Sequence, residues 1–182
     1  VEHLSHRYSV DWAIRDINLE VRSRGVFGLL GSNGAGKSTT MNIICGVLNQ
    51  TEGNVYINGI SLRENPVEAK KYIGFLPQRP PLYPNMTVEE YLTYCAALRL
   101  MDEAAIPAAV ERAMDRCGIL HFRSRLLKNL SGGYQQRAGI AQAIVHNPKF
   151  VVLDEPTNGL DPNQIVEIRN LIKELASDHA VM

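Results

Sequence analysis

The sequence has no excess of charge of either sign: 19 Lys and Arg face 19 Asp and Glu, giving a net charge of +0 and a pI near 7.1. That argues against a polyanion-binding surface made by bulk charge and leaves room only for local basic patches. No apolar run approaches the ~18–20 residues of a membrane span, and no segment reads as a signal peptide. Cysteine is scarce. Cys45, Cys95 and Cys117 are odd in number and widely spaced, the usage of reduced thiols in a cytoplasmic protein rather than of a disulfide framework. They also have no zinc-site spacing. Internal repeats, low-complexity stretches and long linkers are missing as well. With 45% hydrophobic and 21% charged residues, the composition excludes disorder. What is left is one domain of the α/β or α+β class. A chain of 182 residues falls within the roughly 100–200 of a single domain. It buries about 70% of its unfolded surface without staples.

Several elements can be read from pattern. Ile17, Leu19 and Val21 alternate as in a half-buried strand. Val26-Phe-Gly-Leu-Leu30 is a short apolar run beside glycine, expected as a fully buried parallel strand, and residues 37–48 are expected as a helix. Val55-Tyr-Ile57 followed by Asn58-Gly59 predicts a strand entering a two-residue hairpin turn. A helical region runs from about 87 to 147. Thr87-Val-Glu-Glu90 has capping-box spacing ahead of an apolar stretch, Ala104–Cys117 forms a second helix broken at Gly118, and Gly132–His146 a third. Phe150-Val-Val-Leu153 is another buried strand. Asp161-Pro162 makes an N-cap and first-turn pair for a helix striped by Ile165, Ile168, Ile172 and Leu175. Ala180-Val-Met182 looks like the start of one more strand.

Gly31-Ser-Asn-Gly-Ala-Gly36-Lys37-Ser38 fits the phosphate-loop pattern G-x-x-x-x-G-K-[ST]. Backbone N–H groups must wrap the phosphates, so side chains are absent where the backbone closes in. Lys37 neutralises the β- and γ-phosphates, Ser38 offers a hydroxyl to Mg²⁺, and the following helix points its positive end at the anion. A predicted strand before the loop and a helix after it supply the right context. Phe150-Val-Val-Leu-Asp154-Glu155 is its companion. A carboxylate at the end of an apolar strand can hold Mg²⁺, through water, from Asp154. Glu155 can orient or deprotonate an attacking water.

Leu130-Ser131-Gly132-Gly133-Tyr-Gln-Gln-Arg137 places a serine and two glycines at a helix N-terminus, a second anion site. Two such ends about a hundred residues apart meet on one nucleotide only through special folding or through pairing of two molecules. Here the chain resembles the nucleotide-binding domain of an ATP-binding cassette (ABC) ATPase, in which this stretch is the signature motif. The resemblance covers essentially all 182 residues, with five motifs in the family's order. It implies a P-loop NTPase core of the RecA-like kind with a mostly parallel sheet, an antiparallel β subdomain and an inserted α-helical subdomain. The core and β subdomain would take about 1–78 and 148–182, and the helical signature subdomain about 79–147.

By the same resemblance the cofactors are ATP and Mg²⁺. ATP is held by Gly31, Ser32, Asn33, Gly34, Ala35, Gly36, Lys37, Ser38 and Thr39, and by Ser131, Gly132 and Gly133 of a second nucleotide-binding domain paired head to tail. Tyr8, 23 residues before Gly31, matches the aromatic that stacks on adenine, with Trp12 as the other candidate and a core role open to both. Gln78 matches the glutamine that senses Mg²⁺ and the attacking water. The metal set is Ser38, Gln78 and Asp154, and the catalytic set is Glu155, Gln78 and Lys37. Gly159-Leu160-Asp161 matches the loop through which paired domains touch. The family's γ-phosphate histidine lies just beyond a strand. His179 precedes Ala180-Val-Met182, so the chain is expected to stop short of that histidine, with impaired hydrolysis at this length. His3, His6, His121 and His146 show no ligand-like cluster.

The function implied is the ATPase subunit of a membrane transporter, cytoplasmic and peripheral on the inner face of the membrane through transmembrane partners. Arg79-Pro-Pro-Leu-Tyr-Pro-Asn85 is either their contact loop or an ordinary turn. Leu76–Leu98 and Leu126–Asn129 are similar to cassettes of the ABC-2 type, which favours export. The alternatives are a ribosome-associated factor, which carries two cassettes and a charged linker, and a soluble ATPase of iron–sulfur assembly. Nucleic acid is not an expected partner, because DNA-repair cassettes insert coiled coils or zinc modules that have no counterpart here.

Overall fold

A computed structural model describes all residues 1–182. The chain opens with β1 (Glu2–Tyr8) and β2 (Asp11–Ile17), an antiparallel pair turned by Ser9 at φ 58°. The other edge of β1 pairs with β4 (Glu52–Asn54), so the first sheet runs β2-β1-β4. A separate hairpin joins β5 (Tyr56–Ile57) to β6 (Ile60–Ser61). Its turn residues Asn58 and Gly59 have φ 52° and 78°, the left-handed pair that an Asn-Gly hairpin requires.

The central sheet is parallel throughout. It consists of β3 (Gly25–Val26), β7 (Ile73–Leu76), β8 (Phe150–Leu153) and β9 (Ala180–Val181), in the order β3-β9-β8-β7. Because the strands share one direction, the segments that follow β3, β7 and β8 all emerge at the same edge, where ligands of open α/β sheets bind.

Two sequence expectations fail here. The alternating stretch Ile17–Val21 is not a strand: β2 ends at Ile17. Only Leu19 continues the ladder, exchanging two backbone hydrogen bonds with Val1 at 2.9 and 3.1 Å. The run Val26–Leu30 is neither a long strand nor fully buried. β3 ends at Val26, with one further bond from Phe27 N–H to Val181 O at 2.7 Å, and Leu30 is 93% exposed. β3 lies at the sheet edge with one paired side, so its hydrophobicity is not matched by burial within this chain.

Helices α1 (Lys37–Ile44), α2 (Pro66–Lys70), α3 (Val88–Leu98), α4 (Ile106–Arg116), α5 (Gly132–Ile144) and α6 (Pro162–Leu175) complete the architecture. Their ends follow local chemistry. Thr87 and Glu90 form the full capping box of α3, with Thr87 Oγ1 accepting from Glu90 N–H at 3.2 Å and Glu90 accepting from Thr87 N–H at 2.8 Å. Asp161 caps α6 by accepting from the N–H groups of Asn163 and Gln164, both at 3.0 Å. In α4, Ile106, Ala109, Val110, Ala113 and Met114 are buried, the i, i+3, i+4, i+7, i+8 stripe of one helix face. Gly118, at φ 66°, ends that segment as expected.

Two hydrophobic cores result. One joins α1 to β1, β2, β5, α2 and β7 through Leu4, Ile14, Ile43, Ile44 and Ile73. The other joins α3, α4, α5 and α6 to β7, β8 and β9 around Tyr91, Met114, Ile140 and Ile168. Helix α5 lies unusually close to β7. A Cβ on Gly74 would strike the carbonyl oxygen of Ala143, and one on Gly139 would come within 2.7 Å of Leu76 Cδ1 and 3.2 Å of Pro80 Cβ.

Candidate functional site

The loop between β3 and α1 has the conformation its glycines allow. Gly34 and Gly36 have φ 83° and 87°, a region where other residues are strained. The two positions differ in space. A Cβ on Gly34 would meet nothing, whereas one on Gly36 would collide with Ile14 and lie 2.7 Å from Ala13 O. Gly36 is thus required by the seat of the loop on β2. It is also the N-cap of α1 and provides no side-chain cap, and the first turn carries no acidic residue. The helix end therefore keeps unsatisfied N–H groups and a positive potential, as an anion site needs. Lys37 folds back over the loop, donating from Nζ to Gly31 O at 2.8 Å and Ser32 O at 3.0 Å. Ser32, Asn33, Gly34, Ala35 and Ser38 are exposed, and Thr39 is half-buried.

At the same sheet edge, β8 ends in Asp154 and Glu155, and β7 leads to Gln78. Asp154 is 6% exposed and is tied by its N–H to Leu76 O at 2.9 Å, with no hydrogen bond to its carboxylate from the protein. Glu155 has φ 48°, an uncommon conformation for a non-glycine residue that costs on the order of 1–3 kcal/mol. Its Oε2 accepts from Gln78 Nε2 at 2.8 Å and from Asn158 Nδ2 at 3.2 Å. Two residues 77 positions apart are thereby brought into direct contact. Sequence reasoning missed Asn158. The available signal was its place three residues beyond Glu155, in a turn closed by Asn158 N–H to Glu155 O at 3.0 Å.

Ser131 is the N-cap of α5, yet its hydroxyl makes no cap bond. Ser131 and Gly132 are exposed and Gly133 is buried. A Cβ on Gly132 would meet nothing within 4 Å, so the chain's own packing does not require glycine there. The rest of the motif is structural. Gln135 Nε2 donates to Leu127 O and Leu130 O, both at 3.2 Å, and Arg137 donates to Cys117 O and Glu167, both at 2.9 Å. Helices α1 and α5 belong to different cores, so the phosphate loop and Ser131 are carried by separate packing units.

The β1–β2 hairpin adjoins the phosphate loop through the contact of Ala13 and Ile14 with Gly36. It carries both candidate aromatics. Tyr8 is 55% exposed, and Trp12 is 38% exposed with the guanidinium groups of Arg7 and Arg15 over its ring at 5.8 and 5.6 Å. Trp12 is therefore already occupied by cations, and Tyr8 offers the freer ring. His179 is buried, donates from Nδ1–H to Pro148 O at 2.6 Å, and precedes β9, away from the carboxyl edge. His146 is half-buried and donates from Nε2 to Ile73 O at 2.9 Å. A cavity of about 1050 Å³ between the first strand's start and the β5–β6 hairpin is lined by none of these candidate residues.

A glycine loop opening a helix at the carboxyl edge of a parallel sheet, with an acidic pair ending another strand of that sheet one strand away, defines the P-loop NTPase fold. Comparison with known proteins narrows this class. The family model described as ABC transporter matches residues 14–158, and the chain belongs to that family. It is 33% identical over 182 residues to the ABC transporter ATP-binding protein YxlF of Bacillus subtilis, covering 100% of this chain and 60% of YxlF. To the bacitracin transport ATP-binding protein BcrA of Bacillus licheniformis it is 34% identical over 178 residues, covering 98% of this chain and 57% of BcrA. The lipopolysaccharide export system ATP-binding protein LptB of Escherichia coli K12 is 35% identical over 179 residues, covering 96% of this chain and 73% of LptB. The structure of cbiO1 from Clostridium perfringens, part of the ABC transporter complex cbiONQ, superposes with a TM-score of 0.86 at 31% identity over 100% of this chain and 74% of that one. The chain thus spans well under two thirds of YxlF and BcrA.

Proposed function

We propose that this chain is the ATP-binding and ATP-hydrolysing part of an ABC transporter, coupling head-to-tail pairing of two such domains to transport through separate transmembrane subunits. The observation that carries the reading is the convergence at one sheet edge of the phosphate loop, Asp154 and the Gln78–Glu155 contact at 2.8 Å. The backbone amides of Gly31–Thr39 wrap the phosphates, and Lys37 exchanges its two loop carbonyls for phosphate oxygens. Tyr8 stacks on the base. Asp154 and Ser38 carry hard oxygen donors with no hydrogen-bond partner in the protein, which suits Mg²⁺ with most of its waters retained. Bound there, Mg²⁺ would offset phosphate charge. Gln78 holds the Glu155 carboxylate toward the edge where water attacks, and Glu155 takes the proton. Ser131, Gly132 and Gly133 cover ATP held by the partner domain. The core and β subdomain comprise about 1–78 and 148–182, and the helical signature subdomain about 79–147.

The transmembrane subunits dock beside the loop Arg79–Asn85. Tyr83 packs edge-on against Tyr94 of α3 at 5.5 Å, and one turn further Leu98 is exposed. With exposed Val47, Val67 and Leu100 it rims a cleft of about 440 Å³ that also contains Arg99. Exposed apolar side chains at both loop and cleft, with Lys70, Lys71 and Arg99 at the cleft, suit a partner interface of apolar centre and polar rim. Export is favoured by the likeness to LptB, a protein of an export system. Such a subunit lies on the cytoplasmic face of the membrane; no helix here is long and apolar enough to cross one.

The alternative is a soluble ABC ATPase outside transport. Tagging the parent protein in its native cell, solubilising membranes gently and identifying the co-purifying proteins separates the two. A stoichiometric polytopic membrane protein is the expected result. Recovery from the soluble fraction with ribosomes or an assembly scaffold would overturn transport and leave the ATPase reading standing.

A further inference from the structure

We propose that His6 is a positioning residue for base recognition: it sets the ring plane of Tyr8, and so the affinity for the nucleoside part of the ligand. The proposal rests on the reading of Tyr8 as the base platform. Tyr8 ends β1 ahead of a left-handed turn residue and is 55% exposed, so its own packing restrains it little. His6 lies two residues earlier on the strand and therefore on the same face. Its ring meets that of Tyr8 edge to face, with centroids 4.8 Å apart and planes at 85°. Unlike Tyr8, His6 is anchored, being 8% exposed and joined through Nδ1 to Thr51 Oγ1 at 3.4 Å, an oxygen that also accepts Arg7 N–H at 3.2 Å. Its Nε2 is buried with no hydrogen-bond partner. A leucine would fill such a place without burying an unpaired nitrogen. In the tautomer that accepts from Thr51, Nε2 carries the proton.

Holding a ring in one orientation before binding removes a side-chain ordering cost of the size that changes affinity by about three- to tenfold. The test compares Mg-ATP with inorganic triphosphate plus Mg²⁺ by calorimetry on the full chain. His6→Leu is expected to weaken ATP about three- to tenfold and leave triphosphate unchanged, and His6→Phe, which keeps an aromatic edge, to restore most of the loss. In the double variant with Tyr8→Ala, His6→Leu is expected to add nothing. Equal weakening of both ligands, or additive loss in the double variant, overturns the positioning role. Unchanged ATP affinity in His6→Leu, with Tyr8→Ala weakened, overturns it while sparing the platform reading. If Tyr8→Ala itself binds ATP normally, both fall. Thr51→Val releases the imidazole without touching either ring, and supplies the same comparison if His6→Leu does not fold.

Discussion

Replacing Gly132 by alanine separates what the fold needs from what a partner needs. Gly132 is the first residue of α5, its backbone is not left-handed, and an added methyl meets nothing within 4 Å. Within the chain the change can only help: Gly→Ala in a helix, with the accompanying loss of unfolded-state freedom, is worth about 0.5–1 kcal/mol. For a chain of this size that raises Tm by about 1–4 °C. Gly36→Ala is the contrast. Left-handed backbone costs about 1–2 kcal/mol, and the clash with Ile14 and Ala13 adds about 1–3 kcal/mol of overpacking, so Tm should fall by about 4–20 °C. If Gly132 faces the phosphates of a partner's ATP, its methyl displaces backbone donors from a charged acceptor, about 1.5–3 kcal/mol. ATP-dependent association should then weaken roughly 10- to 150-fold, while ATP affinity of the single chain stays the same. Thermal melts give the first quantity, and sedimentation velocity with Mg-ATP in a Glu155→Gln background gives the second. A fall in Tm for Gly132→Ala would show that the fold itself demands glycine. Unchanged association would show that nothing approaches α5 there.

Lys37→Ala should weaken ATP binding by one to two orders of magnitude, the worth of a charge-assisted contact, and unchanged affinity by calorimetry would remove the phosphate-loop assignment. Glu155→Gln in the full-length parent should keep ATP affinity, lose turnover and accumulate an ATP-bound dimer; near-wild-type turnover would show that Glu155 is not the base. Glu155→Gly should raise Tm by a few degrees by relieving the residue at φ 48°, and a fall would mean that the strain is not there. Burial, with the Arg99 charge adding to it, pushes the His146 pKa down to about 4, below the 6.5 of a free imidazole. Its neutral form is therefore favoured by folding: the contribution is complete above pH 6.5 and drains as pH falls toward 4. Between pH 7 and 5 this one group should cost about 2 kcal/mol in denaturant titrations. His146→Gln, which keeps a donor for Ile73 O, should remove that loss, and an unaltered pH slope would refute it.

Motifs whose chemistry is local were legible in the sequence. The phosphate loop, the capping box at Thr87, the cap at Asp161 and the Asn58-Gly59 turn each depend on neighbours within a few residues. The acidic pair after β8 was legible because burial of Val151–Leu153 makes the change from apolar to charged abrupt. What depends on distant partners was not. Val26–Leu30 has the composition of a central strand, but sheet order, which no short window contains, puts it at an edge. Leu19 and Val21 alternate correctly and still lie outside a strand; Leu19 bonds to Val1 alone, a pairing that no short window contains. Asn158 had a local signal in its place three residues beyond Glu155, but its bond to that carboxylate depends on the left-handed Glu155 backbone, which spacing does not reveal. The stacking of Arg7 and Arg15 on Trp12 likewise needed their positions in space.

The close seat of α5 on β7 has a mechanical consequence. Where helices meet a sheet through large side chains, rotamer changes give slack and a displacement at one end dies away. Here Gly74 brings backbone nearly onto the backbone of Ala143, and Gly139 lies against the side chains of Leu76 and Pro80, which flank Gln78 two residues to either side. The helix thus joins Ser131 at its first turn to the Gln78 loop through one tight seat. A displacement of either end would meet little slack at that seat before it reached the other. Substituting either glycine would loosen that bearing and leave both ends intact but out of step.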